Sequence, residues 1–277
     1  MGTARLRVTA STSAQADSAS TGAWLPALER RRVAEPETAH AHSWLTTEGR
    51  TLYGRRDQTT YWLWSPGVAT FSFSSHGPVA YDCVDEESAQ QLWRRSALPL
   101  ALEARGLPLL HASGVAANGS CVVICGRSTA GKSTVATAAA RVGLGVIADD
   151  AIALGVSQQS VEALTLPFEL RPRGDVVAPP VAGSGGESIR LSHLVFLEPD
   201  AAAPSTSLEK LTPSEAFAAV MPHVYCFSLE DSKERLVDEY AAVVERTPCV
   251  RLRYRQEPSS LPSMLSMIGA LVVDETI

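Results

Sequence analysis

Apolar and polar positions change period several times along this chain, and the changes mark its elements. From 51 to 84 the β-branched and aromatic runs 60–64, 68–73 and 79–84 alternate with polar residues. Ser65-Pro66-Gly67 and His76-Gly77-Pro78 punctuate them, so an antiparallel meander is predicted. Residues 86–105 turn to helical spacing through Leu92, Trp93, Leu98 and Leu102, with Pro99 expected to kink or split the helix. A mostly apolar strand, 108–117, meets Asn118-Gly119, the pair that suits a type I′ hairpin turn, and returns as the buried strand 121–125. An alanine-rich helix over 134–142 and a strand over 145–148 come next. Beyond them the pattern predicts a hairpin over 151–156 and 161–166, a strand over 189–197, helices over 214–220 and 229–244, a strand over 249–254 and a closing apolar helix over 259–272. No internal repeat is evident.

Strands mixed with helices make this an α/β chain. A small antiparallel region over 43–106 would precede a nucleotide-type domain over 107–277, unless one continuous domain runs from 43. Residues 1–42, rich in Ala, Ser, Thr and Glu, read as loosely attached, with an edge strand conceivable at Leu6-Arg7-Val8. The triplet Arg30-Arg31-Arg32 reads as a solvated patch, a binding arm being the alternative. The tryptophans of the meander read as packing residues.

Between the strand 121–125 and the helix stand Gly126-Arg127-Ser128-Thr129-Ala130-Gly131-Lys132-Ser133, a match to G-x-x-x-x-G-K-[ST] at every defined position. Glycines let a backbone curl around an anion and present successive N–H groups to it. The next helix, from Thr134, aims its free N–H groups and positive dipole end at the same point. Lys132 would add a point charge for the β and γ phosphates, and the Ser133 hydroxyl would ligate a phosphate-bound Mg²⁺. The expected ligand is therefore a nucleotide with magnesium, ATP or another phosphoryl donor.

Asp149-Asp150 ends the next strand, where a side chain reaches the phosphates. Strand neighbours point to opposite faces, so the two carboxylates need not share a role: one would hold Mg²⁺, the other would meet an acceptor hydroxyl. His111 alone reads more readily as a satisfied strand residue than as a functional one. Glu169 and Arg171 alternate on an extended stretch and could reach a metal or a phosphate, a surface ion pair being the plainer reading. The Pro/Gly stretch 177–186 is the candidate mobile substrate loop.

Together, His111-Ala112-Ser113, the loop 126–133 and Ala148-Asp149-Asp150 resemble the catalytic core of HPr kinase/phosphorylase. In that family a His precedes a β-hairpin, then the phosphate loop, then a strand ending in Asp-Asp. The likeness covers about residues 107–155. It implies a nucleotide domain of the phosphoenolpyruvate-carboxykinase type with a mixed sheet, and phosphoryl transfer to a Ser hydroxyl. By the same resemblance Asp149 would be the acid–base residue, His111 its partner, and Asp150 and Ser133 the Mg²⁺ neighbours. A homo-oligomer would also fit such relatives.

The chain departs from the family where Pro172 follows Glu169-Leu170-Arg171 in place of glycine, and where Arg127 and Thr129 stand in the loop opening. These changes argue against the reverse, phosphorylase, activity. The chain looks more like the divergent HPr-kinase-related proteins, among them the kinases of lasso-peptide precursors. Its acceptor would be a peptide, a carrier protein or a small metabolite. A protein that hydrolyses or senses NTP without a phosphorylated product is the alternative.

Composition narrows the partners further. A net charge of −6 and a pI near 5.6 argue against nucleic acid bound through a broad basic face. Of five cysteines, Cys121 and Cys125 lie inside an apolar strand and read as buried free thiols. The longest apolar run, 261–273, is short for a membrane span, and no secretory signal is visible, so the cytoplasm is expected.

Overall fold

The computed structural model describes residues 24–45, 49–167, 186–226 and 233–273. The proposed strand at 6–8 and nearly all of the loop 177–186 lie outside them. The fold is mixed α/β, built on two sheets.

The first sheet contains the three runs of the expected meander and three further strands, one beyond one edge and two beyond the other. Strands β1 (Leu28–Arg30), β2 (His42–Leu45), β3 (Thr51–Asp57), β4 (Thr60–Ser65), β5 (Ala69–Ser74) and β6 (Val79–Cys83) lie in the order β1-β6-β5-β4-β3-β2. All pairs are antiparallel except β1 with β6, where Leu28 aligns with Val79. Residues 24–31 are therefore attached to this sheet, against the loose attachment that composition suggested for 1–42. Trp24, Leu25 and Leu28 pack on the meander's core, and a three-residue strand is too short to show an alternation.

Next come α1 (Glu86–Leu92), a π-helical turn at Trp93–Ala97, and α2 (Leu98–Glu103). Asp85 caps α1 by accepting from the Ser88 N–H at 2.8 Å. Pro99 sits in the first turn of α2, where its missing N–H has no intrahelical partner to lose, and the wide π turn before it absorbs the break. Tyr61, Leu63, Phe71 and Phe73 bury one face of the meander against Trp93, Leu98 and Leu102. The same cluster continues into Leu109, Ala153 and Leu164 of the second sheet.

The second sheet has nine strands: β7 (Leu109–Leu110), β8 (Ala112–Ala117), β9 (Ser120–Cys125), β10 (Gly145–Asp149), β11 (Ile152–Val156), β12 (Val161–Leu164), β13 (Ser188–Pro199), β14 (Ser207–Lys210) and β15 (Cys249–Tyr254). Its spine is β10-β8-β9-β13, with β13 parallel to β9 along one edge. The other edge of β13 takes β12 antiparallel near its start and β15 parallel near its end. Asn118 and Gly119 make the β8–β9 turn with φ of 53° and 80°, both positive as a type I′ turn requires.

Helices cover both faces. On one lie α3 (Lys132–Arg141) and α6 (Leu261–Val273), packed on Val122, Ile124 and Val195. On the other lie α4 (Pro213–Val220) and α5 (Lys233–Arg246), packed on Cys121, Val123 and Cys125. The alternation of β9 between two buried faces explains why its sequence is apolar throughout. Thr212 and Glu215 form the capping box that starts α4. Both thiols of β9 are buried and free, each pushed up to about 12 by desolvation. Among the described residues no helix is long and apolar enough to cross a membrane.

One irregularity of this sheet sets the direction of the acidic doublet. In the antiparallel pair β10–β8, Val146 aligns with Val115 but Ala148 aligns with Gly114, so Ile147 is an extra residue. This bulge shifts the register by one and sets Asp149 directly opposite Ser113. The Ile147 side chain occupies the space a β-carbon at position 114 would need: a Cβ there would lie 2.6 Å from Ile147 Cγ1. Gly114→Ala is expected to cost about 1–3 kcal/mol by overpacking, measured by urea unfolding. Unchanged stability would show that the bulge accommodates a methyl group.

Candidate functional site

Between β9 and α3, residues 126–131 form a turn that rises from the sheet and re-enters as a helix. A Cβ on Gly126 would stand 3.1 Å from both Ala130 Cβ and Leu197 Cβ, so any other residue there would push the loop and β13 apart by a few tenths of an ångström. Gly131 has φ of 91° and Thr129 φ of 70°. Left-handed backbone in a β-branched residue costs of order 1–3 kcal/mol and persists only when its surroundings impose it. Here the loop is held from behind: the Gln256 amide donates to Thr129 O at 2.6 Å, and the Tyr254 hydroxyl donates to Ala130 O. With those carbonyls turned toward the end of β15, the N–H groups of the first turn of α3 have no side-chain cap. Arg127, Ser128 and Thr129 are exposed around them.

Lys132 is buried, and its ammonium donates to Gly126 O at 2.9 Å. Desolvation lowers its pKa, against the pull of the nearby Asp150 and Asp149 carboxylates. An arriving phosphate would exchange one neutral acceptor for a charged one.

The acidic doublet lies beside this loop. Asp149 Oδ1 accepts from the buried Ser113 hydroxyl at 3.0 Å. Burial raises the Asp149 pKa; the neighbouring Ser133 and Ser113 hydroxyls oppose the shift, Asp150 adds to it, and Lys132 opposes it. Asp150 is exposed. Its Oδ1 lies 3.1 Å from His111 Nδ1, and its backbone carbonyl lies 2.9 Å from the same nitrogen. The family likeness pairs His111 with Asp149. The structure sets His111 beside Asp150 instead, because the bulge aligns Asp149 with Ser113.

Glu169 and Arg171 lie outside the described residues. Among those described, no cluster of three or more His, Cys, Asp or Glu side chains could by itself hold a metal ion. A magnesium ion bound with a nucleotide needs less, since it keeps water and takes one or two carboxylates beside the phosphate oxygens. Ser133 and the exposed Asp150 carboxylate are hard oxygen donors of that kind.

Three further residues complete the site, and their local sequence does not announce them. Residues 221–226 run beside β7 and the start of β8. His111 N–H donates to His223 O at 2.7 Å, Tyr225 N–H donates to Leu109 O, and the Tyr225 hydroxyl reaches Asp150 O at 3.4 Å. The His223 ring is buried, stacked near Phe196 at 6.3 Å between centroids. Desolvation first, then the charges of Lys132, His111 and Arg127, push its pKa down to about 4. Tyr254, behind the loop, is the third.

No family model matches the chain, and no curated protein does. Among solved structures, the Hpr(Ser) kinase/phosphatase from Coxiella burnetii is similar with a TM-score of 0.35 and 12% identity, over 58% of this chain and 93% of that one.

The His223 environment has a measurable consequence. The unfolded chain protonates this imidazole near 6.5, the folded chain only near 4, so stability should fall as pH drops through that window. His223→Phe, which keeps the stack on Phe196, should flatten this acid limb in chemical denaturation monitored from pH 7 to pH 4. An equally steep limb in the variant would assign it to other groups.

Proposed function

We propose that the chain is an ATP-dependent kinase that transfers the γ-phosphoryl group to a Ser-type hydroxyl of a peptide, protein or small molecule. The observation that carries this reading is the placement of Asp149: set opposite Ser113 and bonded to its hydroxyl, the half-buried carboxylate lies near enough to Ser133 and Lys132 of the loop for both to lower its pKa. The N–H groups of the first turn of α3, which no side chain caps, would take the β and γ phosphates together with Lys132. Arg127, exposed at the loop's mouth, would add a second positive charge.

The two carboxylates divide the work by their surroundings. Asp149, whose proton affinity burial raises, suits a group that accepts a proton and later gives it up. Asp150, open to solvent and held by His111, suits a cation ligand together with Ser133. Bound magnesium would neutralise charge on the β and γ oxygens as transfer proceeds. In the transfer, the acceptor oxygen bonds to the γ-phosphorus, the bond to the β–γ bridging oxygen breaks, ADP leaves, and the hydroxyl proton passes to Asp149. His111 acts through Asp150, as a positioning residue.

Asp149→Asn should lower phosphotransfer about 10²–10⁴-fold while Mg-ATP affinity stays nearly intact. Lys132→Ala should weaken both. Product formation is read by mass spectrometry of candidate peptides and metabolites, and affinity by calorimetry. Turnover retained in Asp149→Asn, or ATP consumed with phosphate as the sole product, would favour simple NTP hydrolysis. The rate should also fall with acidity as Asp149 takes up its proton, an acid limb lying above that of an ordinary aspartate.

A further inference from the structure

The six-stranded sheet buries one face against α1 and α2; a cleft of about 410 Å³ lies on the other. Its floor is a row across three strands: Trp62 of β4 stands opposite Ser72 of β5, and Ser72 opposite Ala80 of β6. One large and two small side chains in register leave a trough beside the indole. The far wall is the extended strap 31–36 that leaves β1, with Arg31, Arg32 and Glu35 lining the opening.

Two features of the strap point to a ligand. Arg31 and Arg32 are exposed, and neither guanidinium takes part in a hydrogen bond or ion pair among the described residues, whereas neighbouring Arg30 is paired with Glu86 at 3.2 Å. The strap's main chain is also open. After the Arg31 N–H, which donates to Tyr81 O, residues 32–37 make no backbone hydrogen bond to any described residue.

We propose that this cleft docks an extended acidic peptide segment. Its carboxylates would pair with Arg31 and Arg32, whose planar forks suit bidentate contacts. Its main chain would lie along the strap by strand addition, and an apolar side chain would rest on Trp62 in the trough. Charge selects the occupant: two free guanidiniums against the single Glu35, on a chain whose net charge is −6. The chain's own residues 1–23 carry Arg5 and Arg7 against Asp17 and have the wrong sign. This docking is independent of the phosphotransfer reading, and its failure would leave that reading standing.

The test uses the full chain and fluorescein-labelled decapeptides of alternating Glu and Val, or Lys and Val, with binding read by fluorescence anisotropy. The acidic peptide should bind, more weakly at high salt, and the basic one should not. Arg31→Glu with Arg32→Glu should weaken acidic-peptide binding about tenfold or more, with an unchanged thermal unfolding midpoint as the check on folding. Ser72→Tyr, which fills the trough without altering charge, should weaken it comparably. Absent binding, equal binding by either variant, or a preference for the basic peptide would overturn the proposal. Displacement by inorganic phosphate at matched concentration would reduce the cleft to a small-anion site and overturn it as well.

Discussion

A hydrogen bond between two strands, Ser113 Oγ to Asp149 Oδ1, is the contact on which the arrangement of the site depends. It exists because Ile147 is an extra residue in β10 and because residue 114 of the facing strand has no side chain. With unbroken register from Val146, Ala148 would stand opposite Ser113 and Asp149 opposite Ala112, and the acidic side chain would leave the loop side of the sheet. A bulge fixes the direction of one side chain at the expense of one ladder position. Here the side chain it aims is Asp149, whose pKa Ser133 and Lys132 of the loop both lower.

Much of this was legible in the sequence, and particular residues show why. The loop motif, the Asn118-Gly119 turn, the Thr212–Glu215 capping box and the break at Pro99 are local signals, each tied to the backbone geometry of a few neighbouring residues. Position in the sheet is not local. Nothing in Ile147 distinguishes an extra residue from a paired one, so the doublet's orientation, and hence the partner of His111, could not be read from spacing. His223, Tyr225 and Tyr254 entered the site for the same reason: each arrives from a segment more than a hundred residues after β7 or the loop it contacts. Strand β1 was hidden by its three-residue length, and its attachment is visible only through Trp24 and Leu25 against the core.

The electrostatics of the site are a consequence of this assembly. Lys132, Arg127, His111 and His223 converge on one side of the doublet, and burial holds His223 neutral among the others. A charge on His223 would be desolvated and would face Lys132, His111 and Arg127, each of which disfavours it. Keeping one imidazole uncharged leaves a hydrogen-bonding group beside the loop without adding to the charge that Asp149 and Asp150 must balance.

The loop itself illustrates how a strained segment is kept. A threonine in left-handed backbone is tolerable only if its neighbours leave no relaxed alternative. The Gln256 bond to Thr129 O and the Tyr254 bond to Ala130 O supply that constraint from the C-terminal end of β15. Strand β15 lies parallel to β13, which contributes Leu197 beneath Gly126, so floor and clamp of the loop come from adjacent strands. Neighbouring strands therefore hold the loop in shape, and an anion bound there, as proposed, would cost little in ordering the backbone.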